Sequence, residues 1–299
     1  KGAYIMFGKM LFHVRQKSPL IHNITNYVTV NDCANMLLAC GASPIMADDV
    51  EEAAEITAIC QGLNLNIGTL NHNTIPAMIA AGRRAVEMGR PVVLDPVGAG
   101  ASAFRTETAL QLMKELRITV IRGNISEIKT LAKGSGVTRG VDAAKTDMVT
   151  EENVKEAAAF VKEFARQSGV IAAVTGEIDL VTDGEKTYVI RNGHSMMSSV
   201  TGTGCQLSAL TAAFVAANQS TPLEAAAASV CAMGLCGEIG YNRMKALDGN
   251  SSYRNYVIDA MYRLTPEELR RGAKYEVCES GHGVVCSDRQ GVDRKTESV

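Results

Sequence analysis

The chain has 299 residues, 46% of them hydrophobic and 21% charged, a balance that suits one large globular α/β unit with a sizeable core. A formal net charge of −2, 5% aromatics and no Trp argue against nucleic acid as a partner, and no charge run suggests a membrane surface. No uninterrupted apolar stretch of about 18 residues predicts a membrane-spanning helix, and Lys1, Lys9 and Arg15 are not followed by a cleavage site of the signal-peptide kind.

Short apolar runs of strand type alternate with longer helical ones along the chain. The polar cluster His22-Asn23-Ile24-Thr25-Asn26 follows Pro19-Leu20-Ile21 and precedes a predicted helix over Val28–Cys40, for which Thr25 or Asn26 is a candidate cap. Ser43–Ala47 reads as a buried strand, Val50–Cys60 as a helix, Leu63–Ile67 as a strand and Thr74–Met88 as a helix. Pro91–Asp95 is the next strand, then helix Thr106–Leu116, strand Ile118–Arg122, helix Glu151–Gln167 and strand Val170–Thr175. Strands apolar on both faces, alternating with helices, predict a mostly parallel sheet with helices on both sides. Leu180–Thr182 and Thr187–Ile190 flank Asp183-Gly184, a hairpin signal that suggests an antiparallel addition at one edge. After Gly202 the pattern is helical to about residue 245, with Thr221-Pro222 opening a second helix, and a last helix or pair spans about Tyr253–Ala273. No repeat or linker divides the chain. Residues 1–276 are therefore expected to form a single domain, and 277–299 a disordered or appended tail.

Eight cysteines, Cys33, Cys40, Cys60, Cys205, Cys231, Cys236, Cys278 and Cys286, show no regular framework. Most sit among Ala, Leu and Met, which predicts buried reduced thiols and a cytoplasmic setting. The five His show no metal-ligand spacing with them, so neither zinc nor iron is expected.

In an open parallel sheet the ligand sits at the carboxyl ends of the strands, so the residues just after each strand are the ones to inspect. Val-Thr-Gly-Thr-Gly-Cys (200 to 205) runs straight into a helix. Its glycines let backbone N–H groups face one centre, and the helix N-terminus adds positive potential. That is an anion hole suited to a transferring phosphoryl group, or a plain strand-to-helix turn. No Walker-type phosphate loop occurs. Asp95 follows a strand, and Asn124 and Glu127 are three apart at a predicted helix start. They read as a capping box, or, with Asp95, as carboxylates that position Mg²⁺ through water. Arg122 ends an apolar strand, where its charge needs either a phosphate or one of those carboxylates. His194, after Asn192-Gly193, reads as a turn residue rather than a base.

Taken together, the motifs resemble the hydroxyethylthiazole kinases. Asp-Pro-Val-Gly-Ala-Gly (95 to 100), Ile-Arg-Gly-Asn-x-x-Glu (121 to 127), Val-Thr-Gly-Glu (174 to 177) and residues 200 to 205 occur in that family's order. Pro-Leu-Ile-His-Asn-Ile-Thr-Asn (19 to 26) and Gly-Ala-Ser-Pro-Ile-Met-Ala (41 to 47) match as well. The resemblance covers about residues 10 to 275. It implies a ribokinase-like fold, an α/β three-layer sandwich, and a homotrimer with active sites between subunits. It also implies ATP-dependent phosphorylation of a thiazole alcohol in thiamin salvage. Asn26 and Met46 would contact the thiazole, with Gly202 lining its alcohol. Arg122 and Thr175, beside Asn124, would meet ATP, Asp95 and Glu127 would organise magnesium, and Gly202, Thr203, Gly204 and Cys205 would surround the transfer. The wider superfamily usually carries Asp where this chain has Cys205. Another ribokinase-like kinase, acting on a pyrimidine or pyridoxal, would be expected to show that Asp. A nucleotide-binding regulator without catalysis is the alternative of a different class, and no motif is broken in the way it would require.

Overall fold

The computed structural model describes residues 2–136 and 148–279. In chain order the elements are α1 (Gly2–Lys17), β1 (Leu20–Ile24), α2 (Val30–Cys40), β2 (Ser43–Met46), α3 (Ala53–Ile59), β3 (Gly62–Asn66) and α4 (Thr74–Glu87). Then follow β4 (Val92–Asp95), α5 (Ala103–Glu115), β5 (Val120–Gly123), α6 (Ile125–Gly134), α7 (Val154–Ser168), β6 (Ile171–Val174), β7 (Asp179–Thr182) and β8 (Lys186–Ile190). A short 3-10 turn (Ser195–Ser199) leads to α8 (Thr203–Ala217), α9 (Pro222–Asn242), α10 (Asn250–Arg263), α11 (Pro266–Gly272) and β9 (Tyr275–Glu279). The strands form one sheet in the order β2-β1-β3-β4-β5-β6-β7-β8-β9. Strands β1 to β6 are parallel, and β7, β8 and β9 join antiparallel at one edge.

The period-2 geometry of the strands divides the core into two layers. Val93, Val120, Ala173, Val181 and Tyr188 face α1, α2, α8, α9 and α10, whose Leu37, Phe214, Met233 and Tyr253 complete one cluster. Leu94, Ile121, Ala172, Val174 and Leu180 face the other way, onto Met78, Leu112, Ile128 and Phe164 of α4, α5, α6 and α7. The result is the expected three-layer sandwich.

Several boundaries differ from the sequence reading. Helix α5 starts three residues earlier than Thr106, because Ser102 caps it and accepts the Arg105 N–H at 3.3 Å. Strand β1 was not predicted, because His22 and Asn23 interrupt its apolar pattern. Nor was α1, although Phe7, Met10, Leu11 and Val14 are buried at helical spacing. Strand β2 is half-buried rather than buried, because it is a sheet edge. Neither Thr25 nor Asn26 is the N-cap of α2; Thr29 holds that place, and the Asn26 side chain instead accepts the Thr29 N–H at 3.1 Å. Val277–Glu279, expected in the tail, pair with β8 as part of β9; residues 280–299 lie outside the described residues. Helix α9 is long and apolar enough to cross a membrane, but its apolar residues are buried in this fold.

Candidate active site

Strand parity places the site. Asn23, Asn66, Asp95, Arg122 and Thr175 lie on or just past β1, β3, β4, β5 and β6, and share parity with the side chains that face α8. All therefore point toward α8 from the carboxyl ends of parallel strands, beneath that helix's N-terminus. Gly202, with φ +83°, is the N-cap of α8. A Cβ at Gly202 would come within 2.2 Å of Thr29 Cγ2, so the left-handed turn and the close approach both require glycine.

Asp95 is the hub. It is fully buried, and its Oδ2 accepts hydrogen bonds from Ser208 Oγ (2.7 Å), Asn66 Nδ2 (2.9 Å) and Arg122 Nη1 (3.2 Å). Burial pushes its carboxyl pKa up, opposed by the nearby Arg122 charge and by the three donors. Its Oδ1 is buried without a partner. Arg122 continues from Asp95 to Thr175 Oγ1, to which Nη2 donates at 3.0 Å. The guanidinium lies across the first turn of α8, where a Cβ on Gly204 would meet Nη2 at 2.4 Å. Arg122 is thus paired with Asp95 rather than with Glu127, while its Nε is buried without a hydrogen-bond partner.

Asn124 and Glu127 close the capping box at the start of α6, with Asn124 Oδ1 accepting the Glu127 N–H at 2.9 Å. Glu127 Oε2 accepts the Asn124 N–H and Oε1 the Gly98 N–H, each at 2.8 Å. Burial raises the Glu127 pKa, the two N–H groups lower it, and the Asp95 charge raises it further. Among the described residues no group of three or more His, Cys, Asp or Glu forms a metal cage. Two buried carboxylates, one with an unpartnered oxygen, nevertheless fit a cation that keeps its waters and takes its other ligands from phosphates.

On the other flank of α8, Asn26 Nδ2 donates to Asn66 Oδ1 at 3.0 Å and to Cys205 Sγ at 3.2 Å. The Asn26 carbonyl accepts from the Thr29 N–H and hydroxyl, which fixes the amide. Met46 ends β2 beside Asn23 and packs on the α8-side core. It shares the face of the cluster but makes no hydrogen bond to it. A cavity of about 650 Å³ opens on the opposite flank, with Arg122, Thr175, Thr203, Gly204 and Leu207 at one end and Val230 and Met233 in its wall. The first turn of α8 therefore separates a thiol-and-amide side from a guanidinium side.

A model of the hydroxyethylthiazole kinase family matches residues 11–267. The chain belongs to that family. It is 58% identical over 271 residues to a hydroxyethylthiazole kinase of Clostridium acetobutylicum, a match covering 91% of this chain and 99% of that one. A solved hydroxyethylthiazole kinase from Pyrococcus horikoshii OT3 superposes with a TM-score of 0.82 at 37% identity, covering 91% of this chain and 99% of that one. The pyridoxal kinase of Staphylococcus aureus, at 17% identity and a TM-score of 0.55 over 87% of this chain and 99% of that one, shares the ribokinase-like fold alone.

Three polar residues of the kinase's site escaped the sequence reading. Asn66 and Ser208 both bond Asp95. Their signals were faint: alternating Asn in Leu-Asn-Leu-Asn, and a Ser one helical turn beyond Gly204. Asp179, the first residue of β7, sits across the hairpin from Thr175 and accepts the Gly176 N–H at 2.9 Å. His194 caps the 3-10 turn, as a turn residue should, and its ring stacks on Tyr241 at 3.5 Å.

Proposed function

We propose that this kinase transfers the γ-phosphoryl group of ATP to the primary alcohol of 4-methyl-5-(2-hydroxyethyl)thiazole, a step of thiamin salvage. The observation that carries the reading is the placement of α8's N-terminus between Cys205–Asn26 on one flank and Arg122–Thr175 on the other. An alcohol beside Cys205 and a phosphate chain beneath Arg122 would meet at the backbone N–H groups of Gly202, Thr203 and Gly204.

The thiazole rests between Asn26 and Met46, with its alcohol over Gly202. The alcohol oxygen forms a bond to the γ-phosphorus as the bridging oxygen leaves with ADP. Such a transfer has a loose transition state, so positioning and charge stabilisation dominate. The N-terminus of α8 holds the equatorial oxygens, and Arg122 and Thr175 hold the departing phosphates beside Asn124. Asp95 and Glu127 would hold magnesium through its water shell; bound there, the ion neutralises the phosphate charge. Cys205 borders the alcohol, whose proton passes to the transferred phosphoryl group.

We place active sites at the interfaces of a homotrimer. Tyr27 and Val28, just past Asn26, are 78% and 59% exposed on the thiazole side of the site; Leu38 and Ile59, near the C-terminal ends of α2 and α3, are 57% and 60% exposed at the amino end of the sheet. The Ala- and Met-rich stretch of residues 225 to 236, which the sequence offered as a second candidate interface, is buried in the chain's own core. The free cysteines among the described residues suit a cytoplasmic setting. The test measures ADP release with magnesium and a panel of thiazole, pyrimidine, pyridoxal and sugar alcohols. Turnover confined to the thiazole, with one phosphoryl group added by mass, is the expected result; turnover confined to a sugar or pyrimidine overturns the assignment.

A further inference from the structure

Asp179 is a buried carboxylate in the wall of the 650 Å³ cavity, and nothing in the transfer chemistry uses it. Its Oδ1 accepts the Gly176 N–H at 2.9 Å. No described side chain neutralises it by direct contact: Arg122 is committed to Asp95 and Thr175, and Arg191, also in the wall, to Glu151 and Glu276. A carboxylate oxygen left facing a ligand cavity is costly unless the ligand brings a donor.

The sheet fixes where that donor must lie. Asp95, Arg122, Thr175 and Asp179 stand at the same end of four successive strands, β4, β5, β6 and β7, with the same parity toward the α8–α9 layer. Adjacent strands are about 4.8 Å apart, so Asp179 lies one strand beyond Thr175 and two beyond Arg122. The wall also carries the apolar Val230 and Met233 of α9, a helix that packs on β6, β7 and β8. A nucleotide stretched along this row has its phosphates at Arg122 and Thr175 and its base against α9. Between them comes the ribose, whose hydroxyls are the donors nearest Asp179.

We infer that Asp179 accepts a hydrogen bond from a ribose hydroxyl of the phosphoryl donor and makes the kinase discriminate ribonucleotides from deoxyribonucleotides. The inference rests on the reading of ATP as donor. Asp179 touches the co-substrate away from the reacting atoms, so its effect falls on nucleotide binding rather than on the chemical step.

The test titrates wild-type, D179A and D179N protein calorimetrically at about pH 8, where the Asp179 carboxylate is ionised, with ADP, 2′-deoxy-ADP and 3′-deoxy-ADP, and runs steady-state kinetics on the matching triphosphates at the same pH. Wild type should bind at least one deoxy analogue roughly tenfold or more weakly than ADP, the scale of a charge-assisted hydrogen bond. In D179A that ratio should fall to about twofold or less, because ADP weakens and the analogue does not. The KM for ATP should rise with kcat held within about threefold. D179N keeps an acceptor for the Gly176 N–H, and with it the hairpin loop, but should retain only part of the preference. Wild type that binds ADP and both analogues equally overturns the inference without recourse to any variant, and so does an undiminished preference in D179A or D179N. Wild type that neither binds nor turns over any nucleotide overturns the donor reading itself; turnover without ribose preference overturns this inference alone.

Discussion

At Cys205 the thiol accepts a hydrogen bond from Asn26 Nδ2 at 3.2 Å, in the first turn of α8. If the thiol only borders the alcohol, Cys205→Ser should keep substantial activity, since Ser is similar in size and still bonds Asn26. An obligatory thiolate base would leave the Ser variant nearly dead. We expect Ser to be reduced by about tenfold, because a loose transition state asks little of a base. Cys205→Asp should be at least as fast as the parent, since a carboxylate is welcome at a helix N-terminus, though a higher KM for ATP is expected from repulsion. Steady-state rates per folded molecule decide between them. Asp179 yields a test of a different kind. Burial raises its pKa from 3.8 to about 7, against the opposing Gly176 N–H and the Arg122 charge. A carboxyl whose folded pKa is raised favours folding most below its unfolded pKa, and loses that contribution as pH rises through about 7. Asp179→Asn removes the titration while keeping the Gly176 bond. The variant should therefore gain stability relative to wild type between pH 5 and pH 8, by on the order of 2–4 kcal/mol. Chemical unfolding at both pH values measures it, and a difference that stays constant with pH contradicts the buried-carboxylate account. The chemistry-bearing residue types were legible because they stand just after strands. Their partners were not: that Asp95 is bonded by Asn66 and Ser208 rather than exposed to solvent depends on β3 and α8 meeting over β4, which no local pattern encodes.

Helix α8 opens on two glycines under different constraints. At Gly202 an added Cβ strikes Thr29 Cγ2 at 2.2 Å, and the backbone φ is +83°, so Gly202→Ala strains the turn itself. At Gly204 the three atoms nearest an added Cβ all belong to the Arg122 guanidinium, Nη2 at 2.4 Å, so that side chain must move off Asp95 and Thr175. Gly204→Ala should therefore lower the thermal midpoint, although Ala favours the helix, because the displaced guanidinium also leaves the buried Asp95 carboxylate without its charge partner. It should raise the KM for ATP by roughly tenfold or more, because the displaced guanidinium leaves Thr175. Gly202→Ala should cost about 1–3 kcal/mol in folding. Paired unfolding and kinetic measurements separate the two; an ATP KM unmoved in Gly204→Ala would show that Arg122 does not hold the donor. The same contrast between local and tertiary constraint explains how far the elements could be read from sequence. The parallel strands and long helices follow from period and from their Gly and Pro boundaries. Strand β1 was hidden because His22 and Asn23 are polar yet fully buried, satisfied by Thr57, the Ala47 carbonyl and Ile21. Strand β9 was hidden because its reason to exist is the free edge of β8 and the packing of Tyr275 on Phe7, with ring centroids 4.6 Å apart.

At the scale of the molecule, the sheet ends at β2 on one side and at β9, which pairs antiparallel with β8, on the other. Among the described residues the β2 edge carries no further strand, and Tyr27, Val28, Leu38 and Ile59, on the loop before α2, on α2 and on α3, are all more than half exposed. An open edge beside exposed apolar side chains is a liability unless another copy covers it. Met46 ends that edge strand and Asn26 precedes Tyr27, so the side of the site proposed for the thiazole lies at this border. A closed ring of copies, each lending this border a wall, satisfies both needs. Light scattering at micromolar concentration should then give about three chain masses. Leu38→Glu and Ile59→Glu place charges where the side chain is already in solvent, so each should leave the monomer folded while opposing assembly. Their combination should lower the mass toward one chain and raise the KM for the thiazole alcohol, while nucleotide binding, which draws on the far flank of α8, should persist. A double variant that is monomeric and fully active would refute the shared site, and one that remains trimeric would place the interface elsewhere on the surface.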